Sequence, residues 1–244
     1  EDLVFNQYVS QYGIWIYGPS GCGKSNLIIR NLVKHKYETI QIGLASCIGM
    51  SSDFFFQEIL YEIASKIKEV TFQVKVNDYS ECSRAILELL SNRFKNKKLI
   101  VFIEEIPIGT NEEYKEFAEK LFSLLSAKNL VSGLEKVRFV LSSINNPVGH
   151  LKVFQQKIHE QVKFLGLEYW GRAEIIKLIE IIEMEINFSL PVDLREELIV
   201  TAAGSPRFIK KYFRSVYTLG KTDERTLRYI LKETDRDLSQ FRDA

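Results

Sequence analysis

Eight consecutive residues, Gly18-Pro19-Ser20-Gly21-Cys22-Gly23-Lys24-Ser25, fit the spacing G-x-x-x-x-G-K-[ST] in full. Such a run is built to hold phosphate. Its glycines let backbone N–H groups curl around a polyphosphate, and the helix that follows adds partial positive charge at its N-terminus. Lys24 is placed to reach the β and γ phosphates, and the Ser25 hydroxyl to hold Mg²⁺. Asn26, the next residue of that helix, completes the nucleotide-binding candidates. The apolar run Ile14-Trp15-Ile16-Tyr17 precedes the motif and the helical run Ser25 to Lys34 follows it. This is the strand–loop–helix context that separates the motif from a Gly-rich turn that binds nothing. The expected ligand is a nucleoside triphosphate, with ATP, ADP and Mg²⁺ as the expected cofactors.

Chemistry on a bound triphosphate needs acidic groups as well. Glu104 and Glu105 follow the apolar run Leu99-Ile100-Val101-Phe102-Ile103. Hydrolysis calls for one carboxylate to hold the metal and another to polarise the attacking water. Glu104 is assigned to the metal and Glu105 to the water, against the plainer reading of two surface carboxylates at a strand end. Asn145, after Val137 to Leu141, is the candidate for touching the γ-phosphate or the attacking water. Ser143 and Asn146 are its rivals, and an ordinary Asn-Asn-Pro turn is the alternative. Arg207 follows Ser205 and Pro206, which suit the N-cap and first position of a helix. A cation there is badly placed for its own helix dipole, so it gains by reaching an outside anion. Otherwise it is a surface arginine.

These residues must be positioned by alternating strands and helices. Strands are expected at Ile14 to Tyr17, Thr39 to Leu44, Leu99 to Ile103 and Val137 to Leu141, the last clear core strand. Helices are expected at Asn26 to His35, from about Ser52, at Ser83 to Phe94 and at Glu112 to Ser126. Thr110 and Glu113 form a capping box for the fourth. The run 99–103 is unbroken and apolar, as suits a central strand buried on both faces. Near Phe164 the pattern changes. Beyond Trp170 it is helical only: Ala173 to Ile186, Asp193 to Ala203 (capped by Asp193 and Glu196, ended by Gly204), Pro206 to Leu219, and a polar helix from about Asp223. The fold expected is α/β: a core of parallel sheet sandwiched by helices over 1–165, then a small all-α lid over 166–244.

Composition excludes several classes. Hydrophobic residues make up 45% and charged residues 27% of the 244, enough to bury a real core. A net charge of +1 exerts no global pull on nucleic acid or membrane, so such contact would need a local patch. Three cysteines without C-x-x-C spacing indicate neither a disulfide framework nor a zinc site, and His35, His150 and His159 do not cluster with them. No apolar stretch approaches the ~20 residues that span a bilayer. The expected location is the cytoplasm or nucleus. The start at Glu1 rather than Met is expected of a piece of a longer protein.

Taken together, the motifs resemble the AAA+ and STAND P-loop ATPases, in the class with an extra strand between phosphate loop and acidic strand. The resemblance implies Walker A at Gly18 to Ser25, Walker B at Leu99 to Glu105, sensor 1 at Asn145 and sensor 2 at Gly204 to Arg207. It implies an ATPase acting as a nucleotide-dependent switch or motor, with lid movement, self-association or other protein subunits. Two departures stand out. Glu104 occupies a position that is usually Asp, which implies slow hydrolysis. No arginine lies between 148 and 166, where such rings usually carry a finger; Lys152, Lys157 and Lys163 are the cations there, and Arg172 lies beyond. An alternative is an ATPase that loads onto DNA in replication or transposition, motivated by Arg207, Lys210, Lys211, Arg214, Lys221, Arg225, Arg228 and Lys232. Glu224, Glu233, Asp235 and Asp237 interleave with its second half. A small-molecule kinase is weaker still, because the acidic pair and the helical tail argue against it.

Overall fold

The computed structural model describes residues 2–67, 78–108, 110–148, 158–220 and 223–239. Chain contacts divide it into two compact units. One comprises residues 1–17 and 25–166, the other 18–24 and 167–244.

The first unit is organised by a five-stranded sheet. Its strands are β1 (Gly13–Tyr17), β2 (Glu38–Gly43), β3 (Leu99–Glu104), β4 (Val137–Ser143) and β5 (Val162–Gly166). They lie in the order β2-β3-β4-β1-β5, and every pairing is parallel. β4 therefore stands between the strand that feeds the phosphate loop and the strand that carries the acidic pair. β3 is buried along Leu99–Ile103, as its unbroken apolar run requires of a strand covered on both faces.

The helices of this unit are α1 (Asp2–Val9), α2 (Lys24–Lys34), α3 (Ser52–Lys66), α4 (Tyr79–Phe94) and α5 (Asn111–Leu130). One side of the sheet shows Trp15, Ile42, Val101 and Phe139 to a core shared with Phe56, Ile59, Ile86 and Phe117 of α3, α4 and α5. Strand alternation turns Ile14, Ile16, Ile100 and Phe102 to the opposite side, and all four are buried. α1 runs against β1. A polar stitch joins α1 to α2, where buried Asn31 donates to Asp2 at 2.8 Å and accepts from Asn6 at 2.8 Å. On the other side Lys120 gathers Asp53, Glu116 and the Ser52 hydroxyl, each at 2.6 Å. Lys120 and Ser52 together hold the Glu116 carboxyl below its usual range.

Several element ends differ from the sequence reading. α5 opens with the expected capping box of Thr110 and Glu113 but runs on to Leu130. β5 was not expected. It is short, sits at the sheet edge and contains a lysine, so it lacks an apolar signature. Val162 and Phe164 face the core, while Lys163 lays its ammonium 4.4 Å from the Tyr12 ring centroid and donates to the His159 carbonyl at 2.9 Å. The parallel sheet thus extends beyond Leu141, the residue expected to end its last strand.

The second unit contains four helices among its described residues: α6 (Arg172–Ile186), α7 (Val192–Ala202), α8 (Pro206–Leu219) and α9 (Glu224–Ser239). They close a separate core around Ile179, Leu198, Phe208, Tyr212 and Leu227. α7 starts after Pro191 with no side-chain cap, so Asp193 and Glu196 do not cap it. Asp193 lies in the first turn, and Glu196 is drawn away into an ion pair with Arg172. The left-handed C-cap of α7 is Ala203, with Gly204 the next residue at φ +80°.

At the carboxyl end of β4 the buried Ser143 hydroxyl accepts from the Trp15 indole N–H at 2.9 Å and donates to the Asn145 carbonyl at 2.8 Å. Ser143→Ala would strand that indole N–H inside the core. The expected cost is about 1–3 kcal/mol, read as a lower urea midpoint at unchanged slope; an unchanged midpoint would contradict this role for the hydroxyl.

Candidate phosphate-binding site

The loop from Gly18 to Lys24 joins the end of β1 to the start of α2. Gly18, Gly21 and Gly23 have φ of +151°, +81° and +113°, a region that side-chain-bearing residues rarely enter. Their neighbours exclude a side chain as well. A Cβ on Gly18 would meet the Leu167 carbonyl oxygen at 2.2 Å, and one on Gly21 the Arg207 Cβ at 2.9 Å. Within the loop Cys22 N–H donates to the Pro19 carbonyl at 3.3 Å, and the buried Cys22 side chain faces inward. The Lys24 ammonium donates to the carbonyls of Gly18 at 2.7 Å and Pro19 at 3.0 Å. Lys24 therefore lies folded along its own loop, with its charge at the loop's mouth.

Residues after β5 border the same loop. Tyr169 donates its hydroxyl to the Ser20 carbonyl at 3.2 Å, and the Trp170 indole N–H donates to the Cys22 carbonyl at 3.0 Å. Trp170 is held in turn by its main chain, whose N–H donates to the Gly204 carbonyl at 2.8 Å. Gly204 has to be glycine here, because a Cβ would lie 2.5 Å from the Trp170 carbonyl oxygen. Ser205 then caps α8 by accepting from Phe208 N–H at 3.3 Å, with Pro206 at the first position. Arg207 follows in the first turn. Its stem packs on Gly21, and its guanidinium donates to the Ser20 hydroxyl at 3.0 Å. Tyr169 and Trp170 were not among the expected site residues. Side chains that bind backbone carbonyls need no fixed spacing from the residues they hold, so no pattern marks them.

In the sheet unit, Ser25 and Asn26 follow Lys24 in the first turn of α2, Ser25 half-buried and Asn26 exposed. Glu104 ends β3, where its carboxylate accepts from Gln41 of β2 at 2.8 Å. The chain then turns through a left-handed Glu105 at φ +57°. The turn is held from both sides: Leu44 N–H donates to the Glu104 carbonyl at 3.0 Å, and Ser142 of β4 takes both Glu105 N–H (3.2 Å, hydroxyl) and Ile106 N–H (2.9 Å, carbonyl). A non-glycine residue in that conformation costs about 1–2 kcal/mol. It also breaks the strand alternation, and Glu105 is exposed.

Asn145 lies in the exposed turn after β4, with its amide donating to the Ile108 carbonyl at 3.2 Å. Its rivals are otherwise engaged. Ser143 serves Trp15, and Asn146 closes a turn onto Val148 N–H at 2.9 Å. Of the cations considered for an arginine finger, Lys152 and Lys157 fall outside the described residues, Lys163 rests on Tyr12, and Arg172 pairs with Glu196. His150 and Lys221 also fall outside. In the basic cluster, Lys211 pairs with Asp237 at 3.0 Å, and Arg228 pairs with Glu224 at 2.9 Å and with Glu197. Cys22, Cys47 and Cys82 are buried and form no disulfide, and burial pushes the Cys82 thiol up to about 11. Among the described residues no helix is long and apolar enough to cross a membrane, and no group of three His, Cys, Asp or Glu is placed to hold a metal.

Comparison with solved structures gives the same fold in several nucleotide-associated proteins. A Walker-type ATPase of Pyrococcus abyssi superposes with a TM-score of 0.64 at 14% identity, covering 96% of this chain and 69% of that one. The ORC2 protein of Aeropyrum pernix, in ADPNP–ADP complexes, gives 0.62 at 17% identity, with 95% and 65% covered. Domain III of the Thermotoga maritima replication initiation protein DnaA gives 0.56 at 16%, with 96% and 89% covered. At these identities the likeness is one of fold. No curated protein matches the chain. The family model of the Rad17 P-loop domain matches residues 7–153, which is more than half of the sequence. With that match, and with the loop, sheet order and acidic strand end in place, the chain belongs to the Rad17 P-loop domain family.

Proposed function

We propose that this chain binds ATP and hydrolyses it slowly with Mg²⁺, using the nucleotide state as a switch. In this reading residues 1–165 serve as the ATPase core and 166–244 as the lid. The observation that carries it is the glycine loop at positive φ, with Lys24 folded onto its carbonyls and Arg207 laid along Gly21 and Ser20. Lys24 would exchange its loop carbonyls for the β and γ phosphates, and the loop amides would receive the rest of the negative charge. Mg²⁺, when bound, would neutralise phosphate charge. Ser25 and Glu104 suit it, since this ion takes one or two protein oxygens alongside phosphate and water. Glu105 would polarise the attacking water, and Asn145 would touch that water or the γ-phosphate. The left-handed backbone at Glu105 supports this role, because such strain persists where a side chain must be aimed.

The output would be assembly with further copies or with other protein subunits. A DNA-loading role gains less support. The acidic residues of α7 and α9 take Lys211 and Arg228 into ion pairs, as on a solvated helix face.

Three variants test the reading. Lys24→Ala should weaken ATP at least tenfold, the loss of one charge-assisted bond, with little change in melting temperature; unchanged affinity by calorimetry would overturn the phosphate-loop assignment. Glu105→Gln should keep ATP affinity while slowing turnover about 10²–10⁴-fold. If Glu104→Gln shows that pattern instead, the two roles are exchanged. Arg207→Ala should weaken ATP about ten- to a hundredfold and ADP much less, because only the triphosphate carries the outer charge. Equal weakening of both nucleotides would move Arg207 to the inner phosphates.

A further inference from the structure

We infer that Tyr169 and Trp170 are positioning residues for phosphate: by holding two loop carbonyls on one side, they aim the Gly21 and Gly23 amides to the other. The inference rests on the phosphate-binding reading above and adds to it the residues that shape the cradle before any ligand arrives.

A trans peptide unit carries its C=O and the next residue's N–H in opposite directions. The described chain contains no cis peptide bonds. The Tyr169 hydroxyl fixes the Ser20 carbonyl, which belongs to the same peptide unit as Gly21 N–H. The Trp170 indole fixes the Cys22 carbonyl, which belongs to the unit of Gly23 N–H. Both amides therefore point away from the 169–170 segment. The donors are adjacent in sequence and the two carbonyls are two residues apart, so one short extended segment sets alternate peptide units of the loop. Glycine at 21 and 23 makes the resulting φ values of +81° and +113° attainable.

The segment that does this is itself fixed. Trp170 N–H is bonded to the Gly204 carbonyl, and Gly204 sits too close to the Trp170 carbonyl to accept a side chain. Both residues are also 37% exposed, so neither is a core residue held in place by packing alone. Their polar tips, at 3.2 Å and 3.0 Å from carbonyl oxygens, account for their orientation.

The test removes each donor and keeps an aromatic ring. Tyr169→Phe and Trp170→Phe are compared with the parent by ¹⁵N spectra of the free protein, then by calorimetry with inorganic tripolyphosphate and with ATP. Loss of a hydrogen bond to a carbonyl is read at the nitrogen of the following residue. Tyr169→Phe should therefore move the Gly21 amide resonance and Trp170→Phe the Gly23 resonance. Each should weaken tripolyphosphate and ATP by the same factor, about two- to tenfold, with the thermal midpoint close to the parent's. Unmoved glycine resonances would overturn the inference. So would a loss confined to ATP, because that result would assign the rings to the base rather than to the amides. Moved resonances with unchanged tripolyphosphate affinity would make the bonds structural only. If the parent binds neither ligand, the phosphate reading fails and this inference with it, while the glycine resonances still report whether the two bonds exist.

Discussion

Each peptide unit carries a donor and an acceptor that point in opposite directions, and both need partners. A loop that turns its amides toward an anion must therefore turn its carbonyls outward, onto something. Here that something is the chain itself. Lys24 takes the carbonyls of Gly18 and Pro19, Tyr169 takes Ser20, and Trp170 takes Cys22. The glycines of the motif are usually explained by the ligand they admit. In this protein the close approach of Leu167 to Gly18 and of Arg207 to Gly21 demands glycine independently of any ligand. The loop clusters with residues 167–244 for the same reason: its outward face is satisfied there.

The acidic strand end obeys a parallel rule. A buried strand can stop only if its last carbonyls and the first amides of the turn are received by neighbours. Leu44, just past β2, donates to the Glu104 carbonyl, and β4 receives Glu105 and Ile106 through Ser142. The two serines at the end of β4 thus do separate jobs. Ser142 anchors the turn that swings Glu105 out of the strand, and Ser143 anchors Trp15 and the Asn145 turn. Replacing either with an apolar residue of similar size would keep the packing and lose the geometry.

Much of this was legible in the sequence because it depends on residue type at fixed spacing. The eight-residue phosphate pattern, the unbroken run 99–103, the capping box at Thr110 and the Ser205-Pro206 helix start each carry their own local reason. The parallel sheet followed from the alternation of strand and helix runs. β5 did not, because a five-residue edge strand with Lys163 at its second position is stabilised by that lysine lying on Tyr12, a contact between residues 151 positions apart. The absent cap at α7 failed for another reason. Asp193 and Glu196 have the right types and spacing, but Pro191 sets the entry and Arg172 captures Glu196. Tyr169 and Trp170 stayed hidden since they act on backbone atoms, which every residue possesses.

Arg207 shows how the local and the long-range constraints meet. Proline at 206 and the Ser205 cap fix where α8 begins, and that places a guanidinium in the first helical turn, where the helix dipole opposes it. The partner it holds there, the Ser20 hydroxyl, is neutral and cannot offset that charge. Its stem, however, is packed against Gly21, so the exposed guanidinium stands beside the phosphate loop. In the reading proposed above, an anion bound at that loop would offset a cation that its own helix dipole opposes. In that reading the energy of the relief would differ between a ligand that presents an outer phosphate and one that does not. A difference of this kind is what a ligand needs to shift a conformational equilibrium.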